Sequence, residues 1–317
     1  MSKVGIGGDC SVRMKTQRIT RCAAYGSVMP MTLIKGTFQL VGASPDGDSV
    51  RFYPDDPEAT KKAGLKVRLN SRGGMQLRLD AIDALETHYR PPHGAELHQP
   101  FALGIAAADR LLALLGFTKV TRGPGGTVTS ATPEKVSGHI LTRFADKYGR
   151  AVAFAFPGQR PGRSVDGSPV YLDVKALKNS ANFQLSTEGL VYPTFYSLLY
   201  PDLRQALADA AVAARGSGSG VWANDVTTSG FKLSSRKQLS DELVILPKLF
   251  RRLADYLTLD ETGGVSLTGF KPYLHTRDDR LFTVPDGHAT EFETLVDVRR
   301  QTAKLTVEPE RIVFIEA

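Results

Sequence analysis

Residues 75–86 read MQLRLDAIDALE and combine a strand pattern with several charged side chains. The leucines alternate with polar residues, which is typical of a strand that buries one face. Arg78 therefore points away from the leucine side of this strand. Asp83 and Glu86 follow the strand, where a turn can fold them back towards Arg78. Taken singly, each position is equally compatible with a solvated arginine or an ordinary turn residue.

Two further stretches carry acids and an arginine at turns. Residues 44–52 read SPDGDSVRF, in which Asp46 and Asp48 flank Gly47. An Asp-Gly pair supplies the positive φ of a tight hairpin turn, so a hairpin tip is the simplest interpretation of this stretch on its own. Residues 146–150 read DKYGR, a second turn that ends on an arginine.

Alternation of apolar and polar residues predicts a small β domain that begins near residue 33. Strands are predicted within residues 36–43, 48–54, 65–70 and 75–83, and two more within 137–158. The polar segment 54–64 is interpreted as an inserted loop. Short antiparallel strands in this order are expected to form a meander or a barrel.

Apolar residues at helical spacing predict helices within residues 96–117, 173–189 and 201–216, each ending at a glycine. A further amphipathic helix is predicted within 240–257, where Pro247 marks either a kink or a second start. The tail from residue 227 carries no catalytic motif, and we expect it to be a packing or interaction extension.

The composition is that of a globular protein with a basic surface. The chain has 317 residues, 42% of them hydrophobic, and no stretch reaches the roughly 20 apolar residues of a membrane span. Its two cysteines indicate no disulfide framework, and without a secretory signal pattern we expect a cytoplasmic location. The formal net charge of +7 favours a polyanionic partner. Residues 1–35 supply +5 of it (6 basic minus 1 acidic), so the arm at residues 1–30 is either a nucleic-acid tether or a solvated tail.

Taken together and in order, the three charged motifs resemble those of the staphylococcal nuclease family. Residues 46–50 match D-G-D-[ST]-V, residues 78–86 match R-L-x-x-[IV]-D-x-x-E, and residues 146–150 match D-x-Y-G-R. Asn182, the pair Gly189-Leu190 and Trp222 also fall at family positions. The resemblance runs from about residue 33 to 225. It implies an α+β fold in which a five-stranded OB barrel carries three helices.

The chain is therefore predicted to have three parts. A basic arm occupies residues 1–30, an SNase-like nuclease domain occupies residues 31–226, and a small mixed α/β extension occupies residues 227–317. We leave the oligomeric state open, with the extension as a candidate interaction element.

The resemblance implies a Ca²⁺ site. Asp48 and Asp83 would be carboxylate ligands, joined by the backbone carbonyl of Ala84, and Asp46 would help to orient them. Ca²⁺ is a hard cation that prefers oxygen ligands, which suits this set. The family often has Thr-Pro where this chain has Ala84-Leu85, so the turn at the carbonyl ligand is expected to be less rigid.

The resemblance also implies a reaction. Glu86 would orient or deprotonate a metal-associated water, while Arg78 and Arg150 would hold the phosphate and stabilise the charge of the transition state. The expected activity is Ca²⁺-dependent hydrolysis of DNA or RNA, single-stranded or locally open, with little sequence preference. The alternative is a catalytically weak OB-type module that binds nucleic acid or protein.

Four residues are candidates for contact with the nucleic acid: Lys147, Tyr148, Tyr192 and Phe195. Aromatic rings are suited to this because bases stack on them without sequence preference. His88, His93 and His98 are interpreted as part of a polar loop, since nothing near them completes a familiar zinc spacing.

Overall fold

The computed structural model describes residues 30–160 and 164–316. The basic arm predicted for residues 1–30 therefore lies almost entirely outside the described residues, and so do both cysteines.

Strands and helices are interspersed along the described chain. The strands are β1 (Met31–Gln39), β2 (Ser49–Pro54), β3 (Met75–Leu79), β4 (Ile82–Asp83), β5 (Lys119–Arg122), β6 (Val128–Thr132), β7 (Lys135–Ala145), β8 (Ala151–Pro157), β9 (Pro169–Val170), β10 (Tyr192–Pro193), β11 (Phe195–Tyr196), β12 (Phe231–Lys232), β13 (Arg280–Thr283), β14 (Ala289–Glu291), β15 (Val296–Arg299), β16 (Thr302–Leu305) and β17 (Ile312–Phe314). The α-helices are α1 (Pro57–Lys62), α2 (Phe101–Leu115), α3 (Val174–Leu177), α4 (Ala181–Thr187), α5 (Pro201–Gly216), α6 (Arg236–Asp241), α7 (Pro247–Leu257), α8 (Phe270–His275) and α9 (Phe292–Leu295).

Five strands close into a barrel in the order β1-β2-β3-β8-β7, because β1 pairs with both β2 and β7. All of these pairings are antiparallel except that between β3 and β8. Alternate residues such as Leu77 and Leu79 fill the interior and are fully buried, as their spacing predicted. The α+β fold with a five-stranded barrel is thus confirmed, and it is compatible with an OB-like barrel.

Helices α2 and α4 of the barrel part pack on each other and on β8. Helix α2 ends at Gly116, whose φ of 109° lies in the left-handed region, as the stop signal predicted. The stretch 173–189 was predicted as one helix, but it forms α3 and α4. The break comes from Ser180, whose hydroxyl caps α4 by accepting from the Phe183 amide.

Two other expectations about local structure differ from what the chain does. Residues 65–70 do not form a strand, and only Leu69 makes an isolated bridge, to Met75. The segment read as an inserted loop contains α1, which Asp56 caps by accepting from the Glu58 amide. Of the two alternatives for Pro247, the second helix start is correct, because Pro247 begins α7 and proline is tolerated in a first turn.

The extension shares its core with the barrel part. Strand β11 pairs in parallel with β17, near the end of the chain, and so joins the four-stranded sheet β11-β17-β13-β14. One apolar cluster combines Leu85, Tyr192 and Trp222 with residues of α7 and later elements. The predicted boundary at residue 227 therefore separates two stretches of sequence whose side chains form a common core.

In the two described ranges, none of the helices has the length and apolar character required to span a bilayer.

Candidate active site

Side-chain and backbone hydrogen bonds fix the turn that carries Asp48. Ser49 Oγ donates to Asp46 Oδ1 at 2.6 Å, and the Leu79 amide donates to the Asp48 carbonyl at 2.7 Å. Ser49 lies opposite Arg78 in the β2–β3 ladder. The turn therefore brings Asp48 to the part of β3 that carries Arg78.

Gly47 is required here by space and not by backbone conformation. Its φ is not positive, which corrects the expectation of a left-handed Asp-Gly turn. A Cβ at this position would lie 2.6 Å from the Cβ atoms of both Ala84 and Ala107. The acidic turn thus packs directly on α2 and on the segment that contains the predicted carbonyl ligand.

The segment between β3 and β4 turns Asp83 back towards Arg78. Ala81 has a φ of 70°, and its carbonyl accepts from the Thr194 amide at 3.0 Å. Strand β4 then pairs with β10, with Asp83 opposite Tyr192. Arg78 Nη2 lies 3.5 Å from Asp83 Oδ1, so the approach of these two side chains is as predicted.

A second arginine, Arg251 of α7, also contacts Asp83. Its Nη2 donates to Asp83 Oδ2 at 2.7 Å, and its Nη1 donates to Asp83 Oδ1 at 3.1 Å and to Glu86 Oε1 at 2.5 Å. Only 17% of the Arg251 side chain is exposed. We call Asp48, Arg78, Asp83, Glu86 and Arg251 the Asp83 cluster.

Sequence reasoning assigned no role to Arg251. It lies 168 residues from Asp83 along the chain, and no motif connects the two. The one available signal was a pair of adjacent arginines, Arg251 and Arg252, on a predicted amphipathic helix. That signal alone is equally typical of a solvated helix face.

Specific contacts hold α7 against the segment around Glu86. Tyr89 Oη donates to Asp255 Oδ1 at 2.7 Å. Gln99 is fully buried, its amide donates to the Glu86 carbonyl at 2.7 Å, and its Nε2 donates to the Ile245 carbonyl at 2.8 Å. One residue, Gln99, therefore binds both the backbone of Glu86 and the segment that leads into α7.

Burial and nearby charges shift the pKa values of Asp48 and Asp83 in opposite directions. Burial, and next the nearby charge of Asp46, raise the pKa of Asp48 well above its ordinary value. Burial also disfavours ionised Asp83, but the positive charges of Arg251 and Arg78 outweigh it, so the pKa of Asp83 is lowered. The nearby side chain of Asp48 also lowers the pKa of Asp83. Ionisation is therefore disfavoured at Asp48 and favoured at Asp83.

Burial and neighbouring charges also shift the pKa values of Glu86 and Arg251. Burial raises the pKa of Glu86, with the charge of Arg251 opposing it. Burial disfavours charged Arg251, but Asp83 and Glu86 outweigh it and raise its pKa well above the ordinary value. The guanidinium of Arg251 is therefore held charged among carboxylates.

Arg150 makes its ion pair within its own turn. Its Nε donates to Asp146 Oδ2 at 2.7 Å, and its guanidinium lies 5.5 Å from the centre of the Tyr148 ring. Asp146 Oδ1 also accepts from the amides of Tyr148 and Arg150, both at 2.9 Å. Among the described residues, Arg150 has no ion pair with a carboxylate of the Asp83 cluster.

The four nucleic-acid candidates divide into exposed and buried residues. Lys147 and Tyr148 are exposed, the latter by 67%. Tyr192 and Phe195 are fully buried, so neither offers a ring face to a base. Tyr192 Oη donates to Asp225 Oδ1 at 2.6 Å, and Phe195 lies in the β11–β17 pair. The stacking role predicted for these two residues therefore does not fit the structure, because both rings are part of the core.

The oxygen atoms near Asp83 suit a hard cation in their chemistry. Asp48 and Asp83 are adjacent, and Ala84 follows in a buried segment. In the conformation described, however, both carboxylate oxygens of Asp83 bind the guanidinium of Arg251. A Ca²⁺ ion held by Asp48, Asp83 and the Ala84 carbonyl would need Arg251 to move away from Asp83.

A different group of potential ligands lies in the extension. Within residues 30–160 and 164–316, His275, Glu291 and Glu293 are the one set of three such side chains whose ligand atoms all lie within 4.8 Å of one another. His275 Nδ1 is 3.1 Å from Glu291 and 3.0 Å from Glu293, and these bonds raise the pKa of His275. The His275 side chain is 72% exposed, as expected of a surface ion-pair group. His88, His93 and His98 belong to no such set.

No protein-family model matches this chain, and no curated protein matches it.

Proposed function

We propose that this chain is a Ca²⁺-dependent nuclease of the staphylococcal nuclease type, which hydrolyses phosphodiester bonds of single-stranded or locally open DNA or RNA with little sequence preference. The observation that carries the proposal is the convergence of Asp48, Arg78, Asp83 and Glu86, which come from two separate motifs. The barrel that brings these motifs together is compatible with the OB-like barrel that the resemblance implies.

Each motif has a defined part in this reaction. Asp48, Asp83 and the Ala84 carbonyl would hold Ca²⁺, which supplies positive charge next to the reacting phosphate. Glu86 accepts the proton of the attacking water as the water oxygen forms its bond to phosphorus. The bond from phosphorus to the 5′ oxygen breaks, and solvent water protonates that oxygen. The products are a 3′-phosphate and a 5′-hydroxyl.

The two arginines would stabilise the charge that develops on the phosphate, because a guanidinium presents a planar fork and stays ionised. Arg78 contacts Asp83 directly. Arg150 comes two residues before Val152, which lies opposite Arg78 in the parallel β3–β8 pair. Since side chains alternate along a strand, this register favours Arg78 and Arg150 on the same face of the sheet.

The test is cleavage of denatured DNA by the full chain with Ca²⁺ and then with a chelator added. Glu86→Gln should retain DNA binding and lose activity by about 10²- to 10⁴-fold, the usual contribution of a general base. Glu188→Gln is a matched control, since Glu188 also pairs with an arginine, Arg110, but lies outside the Asp83 cluster.

Unchanged turnover in Glu86→Gln would refute the role of Glu86. Activity that survives the chelator, or full activity with Mg²⁺ in place of Ca²⁺, would refute the metal assignment.

A second function is favoured by one observation. Arg251 already neutralises Asp83 and Glu86, as expected if these acids hold the extension against the barrel. A catalytically weak OB-type binding module would bind denatured DNA through its basic surface and cleave none of it at any Ca²⁺ concentration.

A further inference from the structure

The guanidinium of Arg251 lies against the carboxylates that the proposed nuclease would use for its cation. We infer that Arg251 is an internal occupant of the divalent-cation position, so that Ca²⁺ and the side chain of Arg251 compete for Asp83. The inference rests on the proposed function for the identity of the ion. Because Arg251 belongs to the C-terminal extension, the extension would control access of the ion to the site.

The contacts of Arg251 match this role. Its two terminal nitrogens bind both oxygens of Asp83, which is the bidentate geometry of a strong arginine–carboxylate pair. The nitrogen Nη1 also binds Glu86 Oε1. One guanidinium thus engages both the proposed ligand and the proposed base, and it must leave both before they act on an ion and a water.

The negative charge of the nearby acids explains why the guanidinium of Arg251 lies beside Asp83. Asp46, Asp83 and Glu86 all bring negative charge near Asp48, and buried carboxylates are costly without a compensating cation. Arg78 supplies one positive charge, at 3.5 Å from Asp83. A second cation is required in the same space, and either Arg251 or a divalent ion supplies it.

The neighbouring residue Arg252 shows that this contact is specific to Arg251. Arg252 points to the extension, where its Nε and Nη2 bind Asp279 at 2.6 and 2.7 Å. Helix α7 itself is held by Tyr89 and Gln99 as well as by its apolar face. The side chain of Arg251 therefore has a partner in the barrel part while the helix keeps other anchors if that side chain swings away.

The experiment is Ca²⁺ titration of the full chain by calorimetry, with thermal unfolding at each Ca²⁺ concentration as a second readout. Arg251→Gln should bind Ca²⁺ at least about 10-fold more tightly than the unchanged chain, because the ion no longer displaces a bidentate guanidinium. The same variant should unfold at a lower temperature without Ca²⁺ and recover with it. Arg252→Gln is the matched control and should bind Ca²⁺ like the unchanged chain.

Equal Ca²⁺ affinity of Arg251→Gln and the unchanged chain would overturn the inference, as would the same gain in Arg252→Gln. If Arg251→Gln does not fold, Arg251→Lys keeps the charge but lacks the bidentate fork. That variant should bind Ca²⁺ more tightly than the unchanged chain, and an unchanged affinity would overturn the inference.

Binding and cleavage separate this inference from the proposed function. Tighter Ca²⁺ binding by Arg251→Gln with no cleavage of denatured DNA would support competition at the site and refute the nuclease. Cleavage of denatured DNA by the unchanged chain, together with equal Ca²⁺ affinity of the unchanged chain and Arg251→Gln, would support the nuclease and refute the competition.

Discussion

Two acid–arginine pairs of this protein differ in how the chain makes them. Asp146 and Arg150 are four residues apart in one turn, with side chains 16% and 30% exposed. Asp83 and Arg251 are 168 residues apart, with side chains 1% and 17% exposed. The first pair follows from local geometry, whereas the second exists only if the extension docks on the barrel. Breaking the buried pair should therefore cost more stability, because it leaves a buried charge with neither a partner nor solvent.

The largest effect is expected when the buried pair is broken from its acidic side. Asp83→Asn leaves Arg78 and Arg251 without their shared carboxylate, and we expect a loss of about 3 to 5 kcal/mol in the free energy of unfolding. Urea unfolding without Ca²⁺ measures this loss. A loss as small as that of a surface pair would show that solvent reaches the cluster.

A pH-dependent effect of about 3 kcal/mol on the free energy of unfolding is expected at Asp80, a buried acid directly after β3. Burial raises the pKa of Asp80 from 3.8 to about 6, with Arg143 opposing. The folded state therefore binds the proton more tightly than the unfolded state. This contribution to stability is fully present below pH 4 and is lost as the pH rises to about 6.

Urea unfolding of the unchanged chain and of Asp80→Asn between pH 4 and 7 measures this effect. The difference between the two proteins isolates Asp80 from the other acids. The same pH dependence in both would contradict the assignment.

A smaller effect is expected where the acidic turn meets α2. Gly47→Ala places a Cβ 2.6 Å from Ala84 and Ala107, and overpacking of this kind costs about 1 to 3 kcal/mol. Gly216→Ala is the matched control, because no atom lies within 4 Å of its added Cβ and its φ is not positive. Thermal unfolding should separate the two variants, and equal melting temperatures would show that the turn moves at no cost.

The smallest effect on stability is expected at the less buried pair, Asp146 and Arg150. Arg150→Ala removes one ion pair at the edge of the barrel, and we expect a loss of about 1 kcal/mol or less. Cleavage of denatured DNA should fall much further, because Arg150 is proposed to hold the phosphate. Normal cleavage by a stable Arg150→Ala protein would leave Arg150 with a structural role in its turn alone.

Local patterns predicted the barrel well. Alternation marked four of its five strands closely, whereas β1 runs Met31–Gln39 and so begins and ends earlier than the predicted 36–43. Apolar spacing and a terminal glycine marked α2, and the turn after β3 was correctly expected to return Asp83 to Arg78. Errors arose where a local hydrogen bond decided the outcome. Asp56 caps a helix inside a predicted loop, and Ser180 divides a predicted helix in two.

Burial was harder to predict than secondary structure. Tyr192 and Phe195 were expected to face a nucleotide, yet both rings are fully buried. Their environment depends on the extension, since Tyr192 shares its apolar cluster with α7 and β11 pairs with β17. A pattern of nearby residues contains no information about a strand more than a hundred positions away.

The sequence by itself determined the strands of the barrel, the positions of its acidic turns and the approach of Asp83 to Arg78, because alternation and turn residues are signals carried by neighbouring positions. Only the tertiary structure decided that Arg251 binds Asp83 and Glu86. That contact depends on where α7 docks, and docking is set by an apolar core and a buried charge balance to which distant segments contribute together.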